Sequence, residues 1–435
     1  MQIRRDYSQP LFGNRRRNRV NRQFVFIYLL VMGGILGYVW WQLPRLQLAA
    51  LDAIGLAPTA TPFASWYAQQ GFDFYARGDV ENASRMFEQA VLQQPSDINY
   101  LYEYGRTLLD LDRDPDPSNG RPRSDVEIAL EIGDRAIEAA PNDPRGYALK
   151  SKALFWDGQA SQAIPVAQQG LERAPNYSQL HAVLAWSYAT ISRFQLGLQW
   201  GSSAVEADPM NPDAHRAFAY TLISVGQREE AIQELNAAIA INPNLTGPYF
   251  ELALQFRSLN MLEEAIATYD AILRLEPRNA RAMFRLCETY FSAGEASQAE
   301  GYCQDAIEQN PDPVTLARSY RQLGMVNYGR RNYEGAIENF ARCEELGSTE
   351  IQCYYLRGLA HYYLARPGNG NCELAWQYLN RSAELVQSLP GSESIQDDIT
   401  LGLNLTIQTC PQFSGQVVAT IAPTEIPPTP IGFGN

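Results

Sequence analysis

The chain is poor in the residues on which catalysis and nucleic-acid binding usually depend. Only two of its 35 basic residues are lysines, and it has three histidines, His181, His215 and His361. Its net charge is −13, and the body is more acidic still, because seven arginines precede residue 24. An acidic body disfavours nucleic acid and favours protein, peptide or neutral partners.

Catalytic motifs are missing as well. The sequence has no nucleophile elbow, no phosphate-binding loop and no metal-ligating histidine pair. His181 and His215 fall at equivalent positions of a sequence repeat, where a large packing side chain is expected. We therefore predict neither an enzymatic activity nor a cofactor.

The stretch that organises the chain is Pro212–Leu245, which has the pattern of two amphipathic helices. Apolar or small residues recur every three or four positions in both halves, which places them on one helical face. Gly226 separates the halves, and Pro243 lacks the N–H that would continue the second helix. One such pair cannot bury its apolar face, so neighbouring pairs are predicted.

Those neighbours recur along the sequence. From Ala163 onward, a small residue followed by a proline twelve positions later returns every 34 residues. A second small residue, such as Ala204 or Ala238, follows seven positions after the first and would let two helix backbones approach closely. The small residues that open the second helices, each given with the proline twelve positions later, are Ala83/Pro95, Ala129/Pro141, Ala163/Pro175, Gly197/Pro209, Ala231/Pro243, Ala265/Pro277 and Ala299/Pro311.

This pattern resembles the tetratricopeptide-repeat family, whose period is 34 residues. The first-helix signature is carried, for example, by Tyr67/Gly71/Phe74 and Tyr320/Leu323/Gly324. The resemblance covers residues 64–390 and implies an all-α fold. That fold is a right-handed superhelical solenoid of about nine helix pairs, followed by a capping helix at 391–410 that covers the open apolar face.

The N-terminus predicts a membrane anchor. A basic tail, residues 1–23, precedes the uncharged run Phe24–Leu43, which is long enough to cross about 30 Å of hydrocarbon. The arginines would keep the tail cytoplasmic, so a single-pass protein with extracytoplasmic repeats is expected. A cleaved secretory signal is the alternative interpretation. Residues 44–63 would then be a stalk, and the Pro/Thr-rich residues 411–435 a disordered tail.

An inserted loop, residues 110–125, has alternating carboxylates at Asp110, Asp112, Asp114 and Asp116. Alternating carboxylates can converge on Ca²⁺. The loop lacks the glycine and the closing glutamate of an EF-hand, and a solvated acidic turn is the alternative interpretation. It is therefore only a weak candidate for a metal site.

All six cysteines follow residue 286. Alignment of the repeats puts Cys287 and Cys303 at similar heights on paired helices, puts Cys343 and Cys353 on either side of one turn, and leaves Cys372 within reach of Cys410. An exported body permits such disulfides, although six cysteines allow 15 connectivities. Alternatively, Cys287, Cys303 and Cys343 serve as small buried residues.

The resemblance implies ligand binding on the face lined by the first helices of successive pairs. Aromatic and basic side chains at these positions would suit a peptide, with apolar groups on the rings and carboxylates on the cations. The candidate groove residues are Phe72, Tyr102, Arg106, Lys152, Trp186, Arg216, Tyr220, Phe250, Arg257, Arg281, Phe284, Arg321, Tyr328 and Tyr355.

The predicted function is a membrane-anchored scaffold that binds a protein or peptide, within a cell-envelope assembly. Part of the aromatic stripe must be ordinary packing between repeats. A carbohydrate-binding module using the same rings is the alternative, because sugar rings also have apolar faces. Homo-oligomerisation stays open, and the sequence does not identify a partner.

Overall fold

The computed structural model describes residues 27–28, 30–34, 38, 63–111, 123–309, 311–347, 350–365, 371–386, 393–413 and 415. The chain divides into two units, Met1–Pro62 and Phe63–Asn435. In the first unit, the described residues are helical. Among all described residues, no helix combines the length and apolarity needed to cross a bilayer, so the structure gives the predicted span Phe24–Leu43 no support. Most of that span, the stalk residues 44–62 and the tail residues 416–435 lie outside the described residues.

The second unit, where it is described, consists of helices without strands. Nine pairs, each with a first and a second helix, are followed by a final helix. The helices are α1 Ala64–Ala76, α2 Val80–Gln93, α3 Ile98–Asp110, α4 Arg123–Ala139, α5 Pro144–Trp156, α6 Ala160–Leu171, α7 Ser178–Thr190, α8 Phe194–Ala207, α9 Pro212–Ser224, α10 Arg228–Ile241, α11 Thr246–Ser258, α12 Leu262–Leu275, α13 Ala280–Ser292, α14 Ala296–Glu308, α15 Pro313–Gly329, α16 Tyr333–Glu345, α17 Ile351–Leu364, α18 Asn371–Val386 and α19 Glu393–Thr409. A short 3₁₀ helix, Pro411–Phe413, ends the described array.

Local sequence signals explain where these helices begin. Asp143, Asn211 and Asp312 each accept a hydrogen bond from a backbone N–H of the first helical turn, which satisfies a donor that has no partner inside the helix. A proline follows each cap at the first helical position, where its missing N–H costs nothing.

Small residues set the distance between neighbouring helices. The alanines that open the second helices, for example Ala163 and Ala231, are fully buried, as predicted. At Gly105 an added Cβ would lie 2.4 Å from a methyl group of the buried Leu149 side chain, which would have to shift, so glycine favours the close approach of α3 to α5. Successive first helices touch one another, namely α3 with α5, α5 with α7 and α7 with α9. These first helices form the surface called here the inner face.

Two parts of the array that are far apart in sequence are in contact. The Asn244 side-chain amide donates a hydrogen bond of 2.7 Å to the carbonyl oxygen of Ala76, 168 residues away. Gly78 lies against the same turn, because an added Cβ there would be 2.4 Å from the Asn244 carbonyl oxygen. The end of α1 therefore closes against the turn between α10 and α11.

Three disulfides tie the last third of the array together. Cys287 pairs with Cys303, Cys343 with Cys353 and Cys372 with Cys410. These are the pairs that the repeat alignment favoured. The Cys372–Cys410 bridge attaches the chain after α19 to the start of α18 and so fastens the final helix to the last pair.

The turns inside successive pairs repeat one backbone conformation. Gly158, Ser192, Gly226, Asn260 and Gly294 all have positive φ, at intervals of 34 residues. Glycine adopts this left-handed region without the clash that a Cβ causes. Ser192 therefore carries strain that the glycines avoid, and Asn260 carries less, because asparagine tolerates the left-handed region better than serine.

We predict opposite effects of two substitutions at this shared position. Ser192→Gly should raise the midpoint of thermal unfolding slightly, because it removes strain of roughly 1–2 kcal/mol, which the greater backbone entropy lost by glycine on folding partly offsets. Gly226→Ala should lower it by a comparable amount. Ser202→Gly, inside α8, is the control and should also lower the midpoint. A fall in the midpoint for Ser192→Gly as large as that of the control would contradict the strain argument.

The disulfides predict the outcome of a thiol titration. Full-length protein that is denatured without reductant should contain no thiol that reacts with a thiol reagent. Protein that is reduced before the titration should contain six reactive thiols. Reduction should also make α18 and α19 sensitive to protease, because the longest loop, closed by Cys372–Cys410, gains the most from closure. Reactive thiols before reduction would show that the bridges are not formed.

Candidate functional site

The candidate site is a cavity of about 310 Å³ on the inner face. Four consecutive first helices, α5, α7, α9 and α11, supply most of its wall, and α10 contributes Leu235. Its lining residues are Phe155, Trp156, Gly158, Ala160, Trp186, Thr190, Arg216, Tyr220, Ile223, Leu235, Glu251, Leu254 and Gln255. We call it the aromatic cavity. Its volume is at the lower end for a ligand pocket and suits one large apolar side chain.

Four rings form the aromatic part of the wall. Phe155 stacks on Trp186 with ring centroids 5.7 Å apart, and Trp156 lies 6.1 Å from Trp186. Tyr220 meets Phe155 edge to face at 6.4 Å, and its hydroxyl is 3.1 Å from the Thr190 hydroxyl. Mutual packing holds these rings in fixed orientations, which lowers the entropic cost of binding.

A buried ion pair closes one side of the aromatic cavity. The Arg216 guanidinium is bidentate on the Glu251 carboxylate, with Nε 3.0 Å from Oε2, and its Nη1 lies 3.1 Å from Asp213. Burial acts to lower the pKa of Arg216, but the neighbouring Glu251, followed by Asp213, holds it above its usual range. Arg216 is therefore charged and already occupied by carboxylates.

Ion pairs with carboxylates of this chain occur at four other cations of the described inner face. Several basic side chains that the sequence analysis assigned to ligand binding form ion pairs with carboxylates of this chain. The contacts are Arg106–Glu103, Lys152–Asp213, Arg257–Glu288 and Arg321–Glu350. A ligand carboxylate would first have to displace an internal partner, so the assignment of these cations to a ligand groove stays a prediction. Arg281 is buried and lies over the ring of Phe250.

The predicted groove residues divide by position. Trp186, Arg216 and Tyr220 line the aromatic cavity, whereas Tyr102, Arg106 and Lys152 line a second cavity beside it. Phe250 and Phe284 are only 1% and 2% exposed, so they belong to the packing core. Phe72 is 45% exposed but packs edge to face on Phe87. Tyr328 and Tyr355 are partly buried in the core around α16 and α17.

Sequence reasoning missed other lining residues. Trp156 follows Phe155 at the end of α5, one position beyond the register used to select ring positions. Glu251, which lines the aromatic cavity, and Glu288, which pairs with Arg257 on the inner face, were missed because only cations and rings were considered. Each pairs with an arginine about one repeat earlier, so a search for opposite charges at that spacing would have found them.

The predicted metal candidate is only partly described. Asp110 ends α3 and accepts a hydrogen bond of 2.9 Å from the Tyr75 hydroxyl, so it contributes to the inner face. Asp112, Asp114 and Asp116 lie outside the described residues. Within the part of the chain that the structure describes, no group of three potential ligands is arranged for a metal ion.

Stacked antiparallel helix pairs define an α-helical repeat protein, and sequence comparison identifies the repeat. Models described as tetratricopeptide repeat match residues 69–144, 149–212, 216–245 and 257–322. The chain therefore belongs to the tetratricopeptide-repeat proteins. No similar sequence was found among the curated proteins.

Solved structures include three similar repeat proteins. The Thermus thermophilus tetratricopeptide-repeat protein TTC0263 is 23% identical, over 44% of this chain and 98% of its own, with a TM-score of 0.37. Pseudomonas aeruginosa PilF is 18% identical over 48% and 94%, with a TM-score of 0.41. YrrB, described as having an unusual peptide-binding site, is 22% identical over 43% and 97%, with a TM-score of 0.32. These likenesses give no information on a ligand of the present chain.

The buried pair predicts a non-additive mutant cycle. Arg216→Met should destabilise the protein by about 3 kcal/mol, because it leaves the Glu251 carboxylate buried without its main partner. Combining it with Glu251→Leu should restore much of that loss. Equilibrium unfolding in urea measures the free energy of unfolding of the single and the double variants. The exposed pair Arg342–Glu345 is the control, and its disruption should change little. Additive losses at Arg216 and Glu251 would contradict the interpretation.

Proposed function

We propose that this tetratricopeptide-repeat protein binds a protein or peptide by taking a large apolar side chain into the aromatic cavity. The observation that carries the proposal is the convergence of Phe155, Trp156, Trp186 and Tyr220, from three first helices, on one open cavity. Rings that filled only the core would leave no such volume between them. No catalytic role is proposed.

The chemistry of the wall favours an apolar anchor. Arg216 and Glu251 balance each other's charge, so the cavity offers a ligand mostly ring faces and aliphatic groups. Burying a large apolar side chain there would contribute about 1.5–3 kcal/mol. A peptide backbone lying along the inner face would place its other residues against the neighbouring first helices.

The carbohydrate alternative has weaker support. Sugar recognition by stacking needs a ring face that a flat ligand can cover. Trp186 is only 3% exposed, and one of its faces is occupied by Phe155. We therefore propose a peptide rather than a glycan.

We also propose that the repeats lie outside the cytoplasm, attached by the uncharged run Phe24–Leu43 and contributing to a cell-envelope assembly. The proposal rests on that run with its N-terminal arginines and on three disulfides, which persist in oxidising compartments.

The test of peptide binding is a selection of displayed random heptapeptides on the full-length protein. Enriched sequences should share a large apolar residue. Thr190→Trp, which adds bulk at an exposed position on the cavity wall, should abolish the enrichment. Thr268→Trp, on the second helix α12, is the matched control and should leave it intact. Failure to enrich any sequence, or equal enrichment by both variants, would overturn the proposed site.

A further inference from the structure

The wall of the aromatic cavity contains a buried carboxamide without an internal partner. Gln255 lies on α11, lines the cavity and is only 9% exposed. Its backbone carbonyl oxygen accepts a hydrogen bond from the N–H of Leu259, but its side chain forms no hydrogen bond with any described residue. A carboxamide has donors and an acceptor, and burying them without partners costs free energy. The fold therefore holds an unsatisfied polar group at the candidate site.

The two flanking repeats have a different residue at the same position. Thr221 lies 34 residues before Gln255 and Thr289 lies 34 residues after it, and both are fully buried. Each threonine hydroxyl donates a hydrogen bond to a carbonyl oxygen of its own helix, Phe218 at 2.8 Å and Arg285 at 2.7 Å. Gln255 makes no such bond to the described part of its helix. The packing of the repeat is therefore met by a small hydroxyl residue and does not require the longer carboxamide.

Other polar groups of the same wall are paired with each other. Glu251 lies one helical turn before Gln255 on α11, and its carboxylate binds the Arg216 guanidinium. The Tyr220 hydroxyl is 3.1 Å from the Thr190 hydroxyl. These pairs satisfy one another without a ligand, whereas the Gln255 carboxamide has no partner among the described residues. A ligand in the cavity would supply that partner.

The combination of ring faces with a carboxamide selects among ligand side chains. Leucine or phenylalanine would pack on the rings of Phe155 and Tyr220, but either would separate the Gln255 carboxamide from water without replacing its hydrogen bonds. Asparagine or glutamine would pair with the carboxamide and leave the rings uncovered. Tyrosine or tryptophan meets both requirements, because its ring packs against other rings and its O–H or N–H donates to the Gln255 side-chain oxygen.

We propose that the anchor of the bound peptide is an aromatic side chain that carries a hydrogen-bond donor, tyrosine or tryptophan, and that Gln255 recognises this donor. The rings of the wall lie on α5, α7 and α9, and Gln255 lies on α11, so an anchor that fills the cavity meets both. A site with a buried hydrogen-bonding group discriminates against the analogue that lacks the matching group. This inference rests on the proposed function, because the aromatic cavity receives the anchor.

The test begins with a peptide enriched in the selection described above. Synthetic forms carry tyrosine, phenylalanine, tryptophan or benzothienylalanine at the anchor, and each is titrated into full-length protein by isothermal calorimetry. Benzothienylalanine keeps the shape of tryptophan and replaces its N–H by sulfur. In at least one matched pair, the form with the donor should bind about tenfold more tightly, the effect of one hydrogen bond made in a buried site. The pair that shows the difference identifies the anchor as tyrosine or tryptophan.

A variant assigns the recognition to Gln255. Gln255→Met keeps the length of the side chain and removes the carboxamide, so it should abolish the difference within each matched pair. Its midpoint of thermal unfolding should stay the same or rise, because no hydrogen bond to a described residue is lost. Gln233→Met, exposed on the second helix α10, is the matched control and should retain the difference. A lower midpoint for Gln255→Met would show that the carboxamide has a structural role instead.

The outcomes separate this inference from the proposed function. Equal binding within both matched pairs by native protein would overturn the role of Gln255 and leave the aromatic cavity in place. Enrichment of leucine or phenylalanine alone would have the same meaning. A preference for the donor that survives Gln255→Met would overturn the assignment to Gln255. A selection that enriches neither an apolar nor an aromatic anchor would overturn the proposed function, and this inference with it.

Discussion

The structure depends on the inability of a single amphipathic helix pair to bury its apolar face. Each pair must stack on the next, and the stacking distance is set where two backbones approach. Alanines such as Ala163, Ala204 and Ala238 occupy those positions and are fully buried. Larger side chains there would separate the helices and leave gaps, which cost both hydrophobic and dispersion energy. The constraint acts at most of these interfaces, although Ile272 occupies the equivalent position in one repeat, and this explains why the small-residue pattern persists while the rest of each repeat varies.

The inner face is a consequence of this stacking. Because successive first helices touch, side chains that are 30 to 35 residues apart in sequence become neighbours. Phe155 meets Trp186 in this way, and Arg216 meets Glu251. Tyr220 reaches Phe155 from the first helix after that of Trp186. A site built from four consecutive helices needs no unusual loop. It needs only that the repeats keep their register, and the same turn conformation recurs every 34 residues in this part of the array.

The sequence predicts the fold well because the fold follows from periodic positions. The helix pair around Gly226, the small-residue contacts and the three cysteine pairs could all be placed by counting residues. How deeply each side chain is buried could not be predicted by counting residues, since the same helical face carries both core residues and residues that line a cavity. Phe250 is buried and Tyr220 reaches a cavity, although both were assigned to the groove from equivalent reasoning. That difference depends on the packing angles between helices, which periodicity does not encode.

Electrostatics on the inner face follows from the same geometry. A cation held in a poorly solvated groove costs free energy unless a carboxylate accompanies it, and the repeat places such a carboxylate on the adjacent first helix. Glu251 pairs with Arg216 in this way, and Glu288 pairs with Arg257. These arginines therefore link neighbouring helices through ion pairs, and they also contribute to the surface of the inner face. At the aromatic cavity, Arg216 and Glu251 balance each other, so a ligand would meet mostly ring faces and aliphatic groups there. Recognition would then depend on what remains after internal pairing rather than on the number of charged residues.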